Sequence, residues 1–196
     1  VKITSKDVIG FIVASRIPNL VIIGLTQLIT AYYLLDMPLW MLLKVRFQLF
    51  MLSTGMIGAA GYIINDYFDQ KIDMVNRPDQ VVIGTTFRRR LALFSHIALT
   101  LAGIALGFMV DPMVGAIHIF SAGALWTYRE VLKRWILLGT LTIAFLTSLT
   151  MLIVLVYFRE FSLLVVAYAM FGCVTIFIRE SIKDIISVKG EGQFGV

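Results

Sequence analysis

The sequence predicts an all-α protein, a polytopic membrane helix bundle of about six transmembrane helices. Three observations carry this. Hydrophobic residues fill 59% of the 196 positions and the mean hydropathy is +0.90, above the apolar share of an ordinary soluble domain. Apolar runs long enough to cross a bilayer, about 20 residues each, recur along the whole chain. Lys and Arg divide between alternate loops in a ratio of 14 to 3, the asymmetry that positive-inside topology produces.

In order, the helices are expected at roughly 9–35, 43–68, 89–110, 112–129, 135–157 and 161–186, within a single transmembrane domain over 1–196. The first is expected to break near Arg16-Ile17-Pro18-Asn19, because proline restricts the residue before it and suits a new helix start. In the second, Gly55, Gly58 and Gly61 remove bulk, which serves close helix packing or ligand access equally well. The side rich in cations holds the amino terminus, the 2–3 loop, the 4–5 loop and the carboxyl end; the other side holds only Lys44, Arg46 and Arg159. This orientation puts the amino terminus in the cytoplasm, together with nine of the twelve acidic residues.

Composition also excludes. The net charge of +5 flanks apolar spans, so topology accounts for it and no nucleic-acid partner is expected. A single cysteine, Cys173, allows neither a disulfide nor a thiolate metal site. His96 and His118 have no second His or Cys at ligand spacing, which makes them packing residues. Trp40, Trp126 and Trp135 fall near span ends, where interfacial anchors sit.

The chemistry is concentrated in Asn65-Asp66-Tyr67-Phe68-Asp69-Gln70-Lys71-Ile72-Asp73. An uncharged run from Phe47 to Ile64 precedes it. On a helix, Asn65, Asp69 and Asp73 stack along one face at i, i+4 and i+8, with Asp66 beside them. Carboxylates so close repel unless a cation sits among them. Hard oxygen ligands in an open array suit Mg²⁺, whose shell a substrate phosphate commonly completes. Further along, Asn76-Arg77-Pro78, the triplet Arg88-Arg89-Arg90, Tyr128 with Lys133 and Arg134, and Arg179 to Glu191 all fall on the same membrane face. Carboxylate-held metal with Lys and Arg is what an anionic diphosphate needs in order to bind and to leave.

These residues resemble the UbiA superfamily of intramembrane prenyltransferases. Its first motif, Asn-Asp-x-x-Asp-x-x-x-Asp, is matched in full by Asn65, Asp66, Asp69 and Asp73. Asn76-Arg77-Pro78, Tyr128 with Lys133 and Arg134, and Arg16-x-Pro18-Asn19 match as well, so the likeness runs from about residue 15 to the end. It implies Mg²⁺-dependent transfer of a prenyl group from a prenyl diphosphate to a lipid or aromatic acceptor at the bilayer. Asn65, Asp66, Asp69 and Asp73 would hold one metal, and Asp184 and Glu191 a second. Arg77, Tyr128, Lys133 and Arg134 would bind diphosphate, and Arg16 and Asn19 substrate, with Asp69, Asp73 and Lys133 counted as catalytic.

Two departures stand out. Ser187 occupies a position where the second aspartate-rich motif usually has an acid, and serine is a poorer Mg²⁺ ligand. Family members have nine helices, so a chain with about six is expected to lack the last three. The ending Arg179-Glu180-x-x-Lys183-Asp184 most resembles the branch that adds geranylgeranyl to geranylgeranylglycerol phosphate. An aromatic acceptor such as 4-hydroxybenzoate, or a non-catalytic truncated protein, remain the alternatives. A CDP-alcohol phosphatidyltransferase would need an Asp-Gly-x-x-Ala-Arg run, which the sequence lacks. A transporter would hold its acids at mid-membrane rather than at one face.

Overall fold

Local hydrophobicity and long-range packing divide the work in this fold, and the division is visible from the amino terminus onward. A computed structural model describes residues 3–130 and 136–191, with backbone alone at 72, 76, 128–130, 136–137 and 183–191. Helix α1 (Ser5–Ala14) is capped by Thr4, whose backbone N–H and hydroxyl both donate to the Asp7 carboxylate, satisfying groups that a helix start otherwise leaves open. The chain then turns at Arg16, held at φ 50°, and α2 (Ile17–Ile29) begins with Pro18 in its first turn. The interruption expected near Arg16-Ile17-Pro18-Asn19 is therefore a real boundary between two helices. Helix α2 runs on through a π-helical turn, Thr30–Leu34, and a short α3 (Leu39–Leu42) follows.

Helix α4 (Val45–Asn76) is the axis of the bundle. Its 32 residues extend about 48 Å, against about 30 Å of bilayer hydrocarbon. The excess carries Asp73 beyond the apolar span Val45–Lys71 as continuous helix, which ends eight residues beyond the expected 68. Helices α5 (Arg89–Val110), α6 (Pro112–Glu130), α7 (Ile136–Phe158) and α8 (Leu163–Glu191) complete the structure. Five segments among the described residues are long and apolar enough to cross a membrane: Ile17–Leu34, Val45–Lys71, Arg89–Val110, Leu138–Phe158 and Leu163–Ile182. The span expected at 112–129 is present as helix α6, but Pro112, Gly115, His118, Ser121 and Gly123 dilute its apolar character. The protein is an all-α, multi-pass membrane bundle.

Two clusters close its ends. At one end Phe47, Phe50, Ala31, Val110, Val114, Ile153 and Val154 are fully buried together, with Tyr157 stacked on Phe50. Arg46 donates to the Val110 carbonyl there, and Arg159 pairs with Asp111 at 3.0 Å. The scarce cations Lys44, Arg46 and Arg159 thus belong to one end, as their spacing implied. At the other end Ile63, Ile83, Phe87, Ala14 and Ala92 form a second cluster that fixes the loop between α4 and α5.

Candidate active site

The face of α4 that carries the acids borders a cavity of about 650 Å³. Its mouth is polar: Arg16, Asn19, Tyr62, Asn65, Asp66, Asp69, Gln70, Asp73 and Arg77 line it, with Arg179 and Glu180 contributed by α8. Below the mouth the wall is mainly apolar, with Ile57, Leu125, Ile143, Leu146, Ile153 and Ile176, and Thr54 and His118 are polar exceptions. The helical register places Asn65, Asp69 and Asp73 on the same side of this space, as the i, i+4, i+8 reading requires.

The mouth is organised by Arg16. Its guanidinium donates to Asp66 Oδ1 at 2.7 Å and lies 5.3 Å from the centre of the Tyr62 ring. The left-handed backbone at Arg16 is costly for a residue with a Cβ, and the turn it makes lets the side chain reach back to α4. Asp66 is thereby committed to an ion pair, while Asp69 and Asp73 sit one and two turns beyond Asn65 along the same wall. Among the described residues no three Asp, Glu, His or Cys side chains form a compact metal-ligand group. The donor set still fits Mg²⁺, which is ordinarily held by only one or two carboxylates and takes its remaining oxygens from water and substrate phosphate. On α8, Glu180 is buried and receives a hydrogen bond from Arg179 at 2.9 Å.

Of the residues singled out from sequence, Arg16, Asn19, Asn65, Asp66, Asp69, Asp73 and Arg77 share this one cavity. Lys133 and Arg134 lie outside the described residues, and the side chains of Tyr128, Asp184, Ser187 and Glu191 do too. Sequence reasoning missed the loop that roofs the mouth. Gln80 to Ile83 line the cavity, and Gly84, at φ 91°, turns the chain so that its N–H donates to the Phe87 carbonyl at 2.8 Å. The loop is then clamped to α1. A Cβ on Gly10 would come within 2.6 Å of Phe87 Cβ, Phe11 packs edge-on against the Phe87 ring, and Arg88 makes two hydrogen bonds to Asp7, at 2.9 and 2.8 Å. Arg88, grouped from sequence with the diphosphate-facing cations, is a clamp residue here. Its guanidinium, with Thr4 assisting, holds the Asp7 carboxyl well below the usual carboxylate range. Only Gly84, among these, carries a local signal of a turn.

A profile of the UbiA prenyltransferase family matches residues 19–196, nearly the whole chain. The chain belongs to the UbiA prenyltransferase family. Among similar proteins are the digeranylgeranylglyceryl phosphate synthases of Methanoregula boonei, 30% identical over 95% of this chain and 65% of that protein, and Sulfurisphaera tokodaii, 32% identical over 80% and 57%. The corresponding synthase of Methanosarcina barkeri is 37% identical over 51% of this chain and 35% of its own. This UbiA-family chain thus spans between about a third and two thirds of the length of these relatives. A solved structure concerned with digeranylgeranylglyceryl phosphate synthase in membranes superposes with a TM-score of 0.76, covering 97% of this chain and 67% of that one at 21% identity. At that identity the likeness establishes a shared fold.

Proposed function

We propose that this chain forms the donor-site half of a prenyltransferase that moves a geranylgeranyl group from its diphosphate to the free hydroxyl of geranylgeranylglycerol phosphate. The observation that carries the reading is the graded cavity, with an acidic and cationic mouth above an apolar interior. A ligand with an anionic head and a long hydrocarbon tail is the chemical complement of that gradient. The names of the relatives favour the lipid acceptor over an aromatic one.

In this reading Asn65, Asp69 and Asp73 would hold Mg²⁺, and Asp184 and Glu191 would hold a second ion. Bound there, Mg²⁺ would neutralise the diphosphate and make it a better leaving group. Arg77, Tyr128, Lys133 and Arg134 bind diphosphate oxygens as charge accumulates on them. Arg16 keeps Asp66 and the start of α2 in place, so that Asn19 faces substrate. The C1–O bond to diphosphate breaks, the acceptor hydroxyl oxygen bonds to C1, and its proton leaves. The acidic mouth faces the cytoplasm, and carboxyl-terminal helices beyond those described here close the bundle around both substrates.

The test is transfer from radiolabelled geranylgeranyl diphosphate by the full gene product in membranes, with geranylgeranylglycerol phosphate and 4-hydroxybenzoate offered in parallel. Product with the lipid acceptor, lost with EDTA and in Asp69→Ala, is expected. Product with 4-hydroxybenzoate alone would move the protein to the aromatic branch. No product from a well-folded full chain would overturn the catalytic reading.

A further inference from the structure

Deep in the cavity, where an apolar tail would end, the wall is unexpectedly polar. Thr54 and His118 both line it. Thr54 accepts a hydrogen bond from Gln27 Nε2 at 3.0 Å and donates its own proton to the Phe50 carbonyl at 3.1 Å. Gln27 is completely buried, and its Oε1 has no hydrogen-bond partner; one turn along, the buried Thr30 hydroxyl has none either. Ser53 commits its proton to the Phe50 carbonyl at 2.8 Å, so the 2.9 Å contact with His118 is donated by His118 Nε2–H. Behind this layer lies the sealed cluster of Phe47, Phe50, Val114 and Val154. The π-helical turn Thr30–Leu34 adjoins Gln27, and such turns concentrate at functional positions.

Polar groups are costly to strip of their hydrogen bonds in a membrane interior, and Thr54 and His118 bring this layer to the cavity wall. Apolar side chains alone would yield to a longer tail by changing rotamer. A polar layer resists, because an entering methyl group offers nothing in exchange for the hydrogen bonds it removes. The layer also sits at a defined depth. Ser53 and Asn65 are twelve residues apart on one continuous helix, which is about 18 Å, close to the extended length of four isoprene units.

We propose that the Gln27–Thr54 and Ser53–His118 pairs form a polar stop that limits how far an isoprenoid tail enters, and so sets the prenyl length the cavity accepts at about twenty carbons. This rests on the reading of the cavity as a prenyl diphosphate site, but it concerns binding and can be measured without turnover.

The experiment is competition binding of farnesyl, geranylgeranyl, geranylfarnesyl and hexaprenyl diphosphates to the detergent-solubilised full gene product, for the native protein, His118→Leu, His118→Gln and Gln27→Leu. The native protein is expected to bind tightest at twenty carbons and at least about tenfold more weakly at twenty-five, the cost of displacing one or two bound polar contacts. His118→Leu and Gln27→Leu are each expected to narrow that ratio about fivefold or more, whereas His118→Gln, which keeps a donor toward Ser53, retains it. Equal native affinity for twenty and thirty carbons would overturn the proposal, as would a cut-off unchanged in both leucine variants. If the variants unfold, the native length series still decides. Length-selective binding without transfer would sustain the stop and reject the catalysis, whereas transfer without length selectivity would do the reverse.

Discussion

Gly84 offers the sharpest test of how the mouth of the cavity is built. Its φ of 91° lies in territory that costs a residue with a Cβ about 1–2 kcal/mol. A methyl group at this position would also overlap the side-chain amide nitrogen of Gln70, which lies on the cavity wall next to Asp69. Withdrawing that amide forces Gln70 off its rotamer, at about 0.5–1.5 kcal/mol. Gly84→Ala is therefore expected to destabilise the closed loop by about 1.5–3.5 kcal/mol, raising the open population roughly ten- to three-hundredfold. Limited proteolysis between 81 and 88 in detergent micelles, under conditions where cleavage is slow relative to reclosing, reads that population directly. The double variant Gly84→Ala/Gln70→Ala removes the overlap and leaves the backbone cost, so it should recover about a third of the loss. Cleavage of Gly84→Ala at the native rate would refute the argument. Full recovery in the double variant would show that backbone strain contributes nothing.

The remaining predictions concern the clamp and the acids. Asp7→Asn should free α1 from the loop and raise loop cleavage without changing the helical circular dichroism. The pH dependence follows from the lowered Asp7 carboxyl: the ion pair contributes fully above the unfolded value of 3.8, and its contribution is lost only as pH falls below that toward the folded value. Loop protection in the native protein should therefore be constant from neutral pH down to about pH 4 and fall on further acidification, a response that Asp7→Asn abolishes. Asp69→Ala and Asp73→Ala should each lower prenyl transfer by about a hundredfold or more, read from initial rates in membranes. Arg16→Ala should raise KM for the diphosphate more than it lowers kcat, read from initial rates. Arg16→Gly, which relieves the left-handed turn, should unfold at a higher temperature than Arg16→Ala.

The acid array was readable because its signal is local. A helix repeats every 3.6 residues whatever packs around it, so Asn65, Asp69 and Asp73 had to share a face once that stretch was helical. Arg16 and Pro18 marked the break for the same reason. The clamp was not readable, because Asp7 and Arg88 are 81 residues apart and nothing in either neighbourhood names the other. The polar layer was only half legible. His118 is a satisfied buried histidine at Nε2, as a lone histidine in an apolar helix should be, yet its place on the cavity wall depends on α4 and α6 meeting at Ser53. Helix α3 and the π-helical turn left no trace in hydrophobic periodicity, since each is about one turn long.

The clamp also puts a clock on assembly. Helix α1 leaves the ribosome early, but Arg88 is made 81 residues after Asp7, several seconds later at the usual pace of synthesis. Until then Asp7 lacks the guanidinium that it pairs with in the folded protein, and a carboxylate beside Val8, Ile9, Ile12 and Val13 opposes their burial in lipid. Arg88, the residue just before α5, then supplies the contact that fixes α1 to the loop bordering the acids. The part of the mouth that this loop borders is therefore completed only after α4 has been made, and Arg179 and Glu180 of α8 join it later still.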